Sequence, residues 1–179
     1  MSTMAAVAQT LKGFRDILPQ EYYDRAYVKE KLIAVFERYG FLPIETPTLE
    51  YASLLLGKYG AEADKLIYRF TDAGGREVGL RYDQTVPTAR VIAEHRQELP
   101  VLFRRYQLQN VFRAEKPQKG RFREFTQCDL DIYGTTSPIA DAEILSCTYD
   151  AYKAVGFATV IVRCNDRETL TATLSPFAS

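Results

Sequence analysis

Apolar positions first recur with helical spacing between Tyr22 and Tyr39. Val28, Leu32, Val35, Phe36 and Tyr39 fall on one stripe, and Gly40 supplies the stop. An extended segment follows from Phe41 to Glu50, with Pro43 and Pro47 marking an edge or an end. Leu66 to Phe70 and Glu77 to Tyr82 then flank Asp72-Ala73-Gly74-Gly75, the residues of a tight reversal, which predicts a hairpin. Pro87 suits the first turn of a short helix reaching about Arg96. Two long strands are expected, Leu102 to Arg113 and Phe122 to Tyr133, separated by the charged loop Ala114 to Gly120. Ser137-Pro138 makes an N-cap and first-turn pair for a second long helix, with Ile139, Ala142, Leu145, Tyr149 and Tyr152 as its buried stripe and Gly156 as its end. Ala158 to Val162 reads as a last strand, and a helix starts near Asp166.

This order predicts an α+β fold, an antiparallel sheet flanked by helices rather than a doubly wound parallel sheet. The final residues, Leu174 to Ser179, follow directly on a helix start, so a truncated domain is expected.

Alternation along the two long strands separates two faces. In the second strand Phe122, Glu124, Thr126, Cys128, Leu130 and Ile132 suit a core, while Arg121, Arg123, Phe125, Gln127, Asp129, Asp131 and Tyr133 make a polar face. In the first, Tyr106, Leu108 and Phe112 oppose Arg105, Gln107, Gln109 and Arg113. With Arg81 and Asp83 from the hairpin, three strands could pool their polar faces into one floor. Such a face can simply meet water. Its composition points elsewhere: a guanidinium fork suits phosphate, Phe125 offers a surface on which a purine can stack, and Asp83, Gln127 and Asp131 are acceptors for an ammonium or a ring N–H.

Bulk properties narrow the classes. The 179 residues carry 23 Lys plus Arg and 23 Asp plus Glu, so no whole-chain field favours nucleic acid. Apolar residues make up 46%, enough for a packed core. The three cysteines, Cys128, Cys147 and Cys164, lack zinc spacing and read as reduced thiols of a cytoplasmic protein. One histidine, His95, gives little support to a metal site or a Ser/His/Asp triad, and no metal ligand is assigned. No apolar run reaches membrane-spanning length, and Met1 to Thr10 lacks the basic start and apolar run of a signal peptide.

Phe112-Arg113-Ala114-Glu115-Lys116-Pro117-Gln118-Lys119-Gly120-Arg121-Phe122-Arg123-Glu124-Phe125 resembles motif 2 of class II aminoacyl-tRNA synthetases in the form used by histidyl enzymes, and Thr126 to Gly134 continues the match. Leu80 to Pro87 resembles the loop of those enzymes that holds the substrate amino group, Lys12 to Pro19 their opening segment, and Tyr39 to Pro47 motif 1. The resemblance covers nearly the whole chain. It implies a partial catalytic domain over residues 1–179, with motif 1 at about 22–50 and motif 2 at about 103–133, cut before motif 3 and without an anticodon-binding domain.

The implied reaction is histidine activation with ATP and Mg²⁺, then transfer to tRNA(His), by a cytoplasmic homodimer joined through the motif 1 region. The carboxylate that attacks is already ionised, so alignment and charge neutralisation suffice. By resemblance, Arg113 bridges the ATP α-phosphate and the histidine carboxylate as the catalytic residue. Glu115 lies near the adenine edge, Arg121 reaches the outer phosphates and Phe125 stacks on adenine. Asp83, Gln84, Thr85 and Gln127 hold the α-amino end, and Asp131 accepts from the imidazole. Some branches of the family carry Glu at the positions of Asp83 and Asp131, which gives a longer reach. Asp83 could equally cap the helix near Pro87, and Asp129 shares the face with no assigned role. Two other functions fit the same fold: a histidyl-synthetase-like regulatory subunit of ATP phosphoribosyltransferase in histidine biosynthesis, and a non-catalytic dimeric scaffold. The retained Glu115 to Gly120 loop with Arg121 beyond it favours the ligase.

Overall fold

The computed structural model describes residues 8–58 and 60–175. It opens with helix α1, Pro19–Arg38, whose proline lies in the first turn, where no backbone N–H is needed. A short strand β1, Leu42–Pro43, and β2, Leu49–Tyr51, follow, then two single-turn helices, α2, Ala52–Leu55, and α3, Ala61–Asp64. The hairpin forms as β3, Arg69–Thr71, and β4, Glu77–Leu80, with Asp72 Oδ1 accepting from the backbone N–H groups of Gly74 and Arg76 in the turn. Helix α4 spans Thr85–Glu94, β5 Phe103–Phe112, β6 Glu124–Tyr133, α5 Pro138–Ala154 and α6 Arg167–Leu174.

The strands make two sheets of three, β1-β5-β6 and β2-β4-β3. Hairpin and long strands therefore do not share one floor, as alternation alone suggested. Pairing is antiparallel except between β1 and β5, which run parallel. Arg81, one residue beyond β4, joins the two sheets. Its N–H donates to Thr48 O at 3.0 Å, its carbonyl accepts from Phe112 N at 3.0 Å, and its buried guanidinium donates to Thr46 O at 2.7 Å and Asn110 O at 2.6 Å.

The expected core face of the long strands is the face that packs. Tyr106 is buried with Val35, Phe36, Phe41, Cys147 and Ala151, and Leu108, Leu130 and Ile132 pack against that cluster. Helices α1 and α5 lie together over this face. Arg38 of α1 and Tyr39, its C-cap, tie the pair at Asp150, at 3.1 and 2.9 Å.

Two expectations fail. The stripe assigned to α5 is on the wrong side: Ile139, Leu145, Tyr149 and Tyr152 are exposed, and the buried positions are Cys147 and Ala151, with Ile144 beside them. Small side chains let the helix approach the sheet closely, so the larger ones turn outward. Residues 158–162 form no strand, and Ile161 is 77% exposed. A strand needs a neighbouring ladder, and among the described residues none reaches this segment. The helix after it does form, capped by Asp166 accepting from Thr169 N at 2.7 Å. Among the described residues no helix is long and apolar enough to cross a membrane.

Candidate functional site

The register pairs Arg105 with Asp131, Gln107 with Asp129, Gln109 with Gln127 and Val111 with Phe125, so the polar residues of β5 and β6 share one face. That face divides along its length into two halves. The β5 half is closed: Arg105 and Gln107 are buried under α4 and the segment that precedes β2. Thr88 of α4 donates to Gln107 at 3.2 Å, and Gln107 donates to Thr46 at 2.9 Å. The β6 half, with Phe125, Gln127, Asp129 and Asp131, stays partly accessible.

At one end of that half, Arg113, Glu115, Arg121 and Phe125 line a single cavity of about 300 Å³ with Gly120 and Phe122. All four residues expected at the nucleotide are therefore brought together. The Arg113 guanidinium lies 4.5 Å from the ring centre of Tyr82 and 5.2 Å from that of Phe125, and its Nε donates to Tyr82 O at 3.3 Å. Two aromatic rings thus flank a cation that makes no ion pair within 4.0 Å among the described residues. Arg121 is mostly exposed and stands 3.6 Å from Glu115.

The loop carrying these groups is closed at its base. Arg113 N donates to Arg123 O at 2.9 Å, and Arg123 N donates to Gly13 O at 2.7 Å. The Arg123 side chain donates to Glu115 O at 2.9 Å and to Lys12 O at 3.3 Å. Gly13 has φ +91°, and a Cβ there would meet Arg123 and Pro117 carbons at 2.8–2.9 Å, so only glycine fits.

Further along β6 a groove of about 590 Å³ is lined on its polar side by Thr85, Gln127, Asp129 and Asp131, and on its apolar side by residues of α1 and α5 such as Leu32 and Tyr152. Gln127 Oε1 is buried with no hydrogen-bond partner among the described residues, an acceptor fit for an N–H. Asp131 accepts from the Arg105 guanidinium and from Tyr133 Oη at 3.2 Å. The Asp129 carboxyl is pushed above the usual range by burial first, against the pull of Arg105, with Asp131 and Asp83 adding to the rise.

Asp83 and Gln84 take other places. Asp83 Oδ1 accepts from Thr85 N at 3.0 Å and Val86 N at 3.3 Å, the helix-capping alternative. Gln84 is fully buried and its amide donates to the carbonyls of Gln109 and Gln127 at 3.0 and 3.1 Å, clipping α4 onto the β5–β6 ladder. Neither lines the groove. The arginines sort likewise. Arg113 and Arg121 face the smaller cavity, whereas Arg81, Arg105 and Arg123 are tied into the framework. The two arginines expected at phosphate are thus the two that line the cavity. Tyr82 and Arg105 carried no chemical signal of their own in the sequence, since both contacts depend on which strand is the neighbour.

Among the described residues no group of three or more His, Cys, Asp or Glu is gathered to hold a metal. Glu115 is the carboxylate of the smaller cavity's lining. That donor set fits a divalent ion arriving on phosphate oxygens rather than one caged by protein.

Comparison with known proteins agrees with this arrangement. The family model described as Histidyl-tRNA synthetase matches residues 13–173. A histidine–tRNA ligase of Treponema denticola is 48% identical over 159 residues, 89% of this chain and 36% of that protein. One from Wolinella succinogenes is 49% identical over 162 residues, 90% of this chain and 37% of that protein. The chain thus spans little more than a third of these relatives. Among solved structures, the histidyl-tRNA synthetase of Nostoc sp. PCC 7120 superposes with a TM-score of 0.84 at 34% identity, covering 97% of this chain and 40% of that one. A Bacillus halodurans protein described as an ATP phosphoribosyltransferase regulatory subunit/histidyl-tRNA synthetase gives 0.77 at 27% identity, covering 88% and 40%.

Proposed function

The chain belongs to the histidyl-tRNA synthetase family, and from that premise we propose that it is the histidine- and ATP-binding part of a histidine–tRNA ligase. The observation that carries this reading is the convergence of Arg113, Glu115, Arg121 and Phe125 on one cavity, with Thr85, Gln127 and Asp131 lining the groove on the same face of the same strand pair.

In this reading adenine stacks on Phe125 with Glu115 at its edge, and Arg121 reaches the outer phosphates. Arg113 sits where the α-phosphate and the amino-acid carboxylate meet. The carboxylate attacks the α-phosphorus in line and pyrophosphate leaves. Nothing need be deprotonated, so the protein's work is alignment and neutralisation of the charge that grows on phosphorus. The Arg113 guanidinium, positioned by the rings of Tyr82 and Phe125 and by the Tyr82 carbonyl, is the cation of the cavity nearest to that charge in this reading. Mg²⁺ arriving on the triphosphate oxygens would supply further neutralisation there. Thr85 and Gln127 take the α-ammonium, and Asp131 takes an imidazole N–H. Asp83 and Gln84 contribute by fixing the start of α4, and with it Thr85. Transfer to tRNA(His), a homodimer through the α1 region and a cytoplasmic setting complete the proposal.

Titration with ATP and with histidine tests it. Arg113→Ala should weaken both ligands, and Phe125→Ala should weaken ATP alone. Unchanged ATP affinity in Phe125→Ala removes the nucleotide assignment. The regulatory-subunit reading keeps one support, the Bacillus halodurans neighbour. It would prevail if histidine binds and ATP does not.

A further inference from the structure

Arg105 is wholly buried in β5, yet it serves neither cavity directly. Its Nη2 donates to Asp131, its partner across the ladder, and stands 4.0 Å from Asp129. Its Nη1 donates to Gln107 Oε1 at 3.2 Å, and its Nε has no hydrogen-bond partner among the described residues. Asp129 and Asp131 alternate on one strand and both line the groove, with side-chain exposures of 21% and 37%. Two carboxylates therefore share one guanidinium from below and present their remaining oxygens above. Two anions and one cation leave a single negative charge. A buried guanidinium is costly unless paired, and two unscreened carboxylates side by side do not both stay ionised. Each group makes the other tolerable.

We infer that Arg105 is a positioning residue, which clamps Asp131 and offsets the charge of Asp129, so that the two carboxylates act as one aligned acceptor for a heteroaromatic N–H. The inference rests on the reading of Asp131 as the imidazole acceptor, and it gives Asp129 a part in histidine recognition.

Calorimetric titration of the chain with histidine and with ATP tests it. In Arg105→Met the dissociation constant for histidine should rise roughly tenfold, the scale of a coupled pair, while that for ATP changes by less than about threefold. Adding Asp129→Asn to that variant should recover part of the histidine affinity, because the like charge that Arg105 had offset is then gone. Equal losses for the two ligands would mean a merely structural arginine and overturn the inference. So would a double variant that binds histidine no better than Arg105→Met. If circular dichroism shows that Arg105→Met does not fold, Arg105→Lys carries the test, since a point charge cannot span both carboxylates. Histidine affinity equal to the parent's in that variant also overturns it. Asp131→Asn separates the two layers: unchanged histidine binding there, or a parent chain that binds no histidine, removes the pocket reading on which the inference stands.

Discussion

Gln84 and Phe125 show how far a single residue can be read before the fold is known. Phe125 was placed by phase alone: an aromatic among polar neighbours on alternate positions belongs to the polar face, and it lines the cavity with Arg113 and Glu115. Loss of base stacking in Phe125→Ala is expected to cost about 1–3 kcal/mol of ATP binding, measurable by calorimetry. Gln84 was not legible in this way. Its neighbours in sequence suggested a ligand-facing loop, but its amide goes to two strand carbonyls. Substitution Gln84→Leu leaves both carbonyls without that donor and should lower stability by about 1–3 kcal/mol in urea unfolding, whatever it does to ligands. The difference between the two is that strand phase is a local property, whereas a side chain's partner across an unseen sheet edge is not.

Among the elements, the long strands and α1 were the most legible, because their apolar periods are strong and Gly40 marks the end of α1. Helix α5 was placed correctly and rotated wrongly. Its sequence offers two apolar faces, and hydrophobicity ranks the bulkier one first, but close packing on β6 selects the smaller side chains of Cys147 and Ala151. In the same core cluster Phe36 of α1 packs on Tyr106 of β5 with ring centres 5.6 Å apart. Phe36→Ala should destabilise the chain by about 3–5 kcal/mol in chemical unfolding. The same packing sets a pH dependence. The Cys147 thiol is pushed up to about 11, by burial first and then by Asp150. Between the ordinary thiol value of about 8.5 and that level the unfolded chain loses this proton first, so stability falls as pH rises. Cys147→Ala should remove part of that fall, seen as a shallower decline of Tm between about pH 8.5 and 11.

At the scale of the whole molecule the α+β class and the family were legible, whereas the division into two sheets was not. Nothing local says that β4 pairs with β2 rather than with β5, and Arg81, the joint between the sheets, reads in sequence as one more cation of a shared polar floor. The chain covers just over a third of its curated relatives. In a pyrophosphate-exchange assay the 179 residues alone are expected to turn over far more slowly than a full-length relative. Equal turnover would show that the two cavities suffice for activation.

The base of the 113–123 loop is pinned at both ends, by Arg113 N to Arg123 O and by Arg123 to the carbonyls of Lys12 and Gly13. Its tip is crossed by the bridge between Gln118 and Arg121 and by the ion pair of Arg121 with Glu115. A hairpin held in this way would swing about a fixed axle. A triphosphate that steadies Arg121 at the tip should therefore be felt at the axle, as slower deuterium uptake by the amide of Arg123. The opening segment around Gly13, far away in sequence, would then serve as a remote gauge of whether the nucleotide is in place.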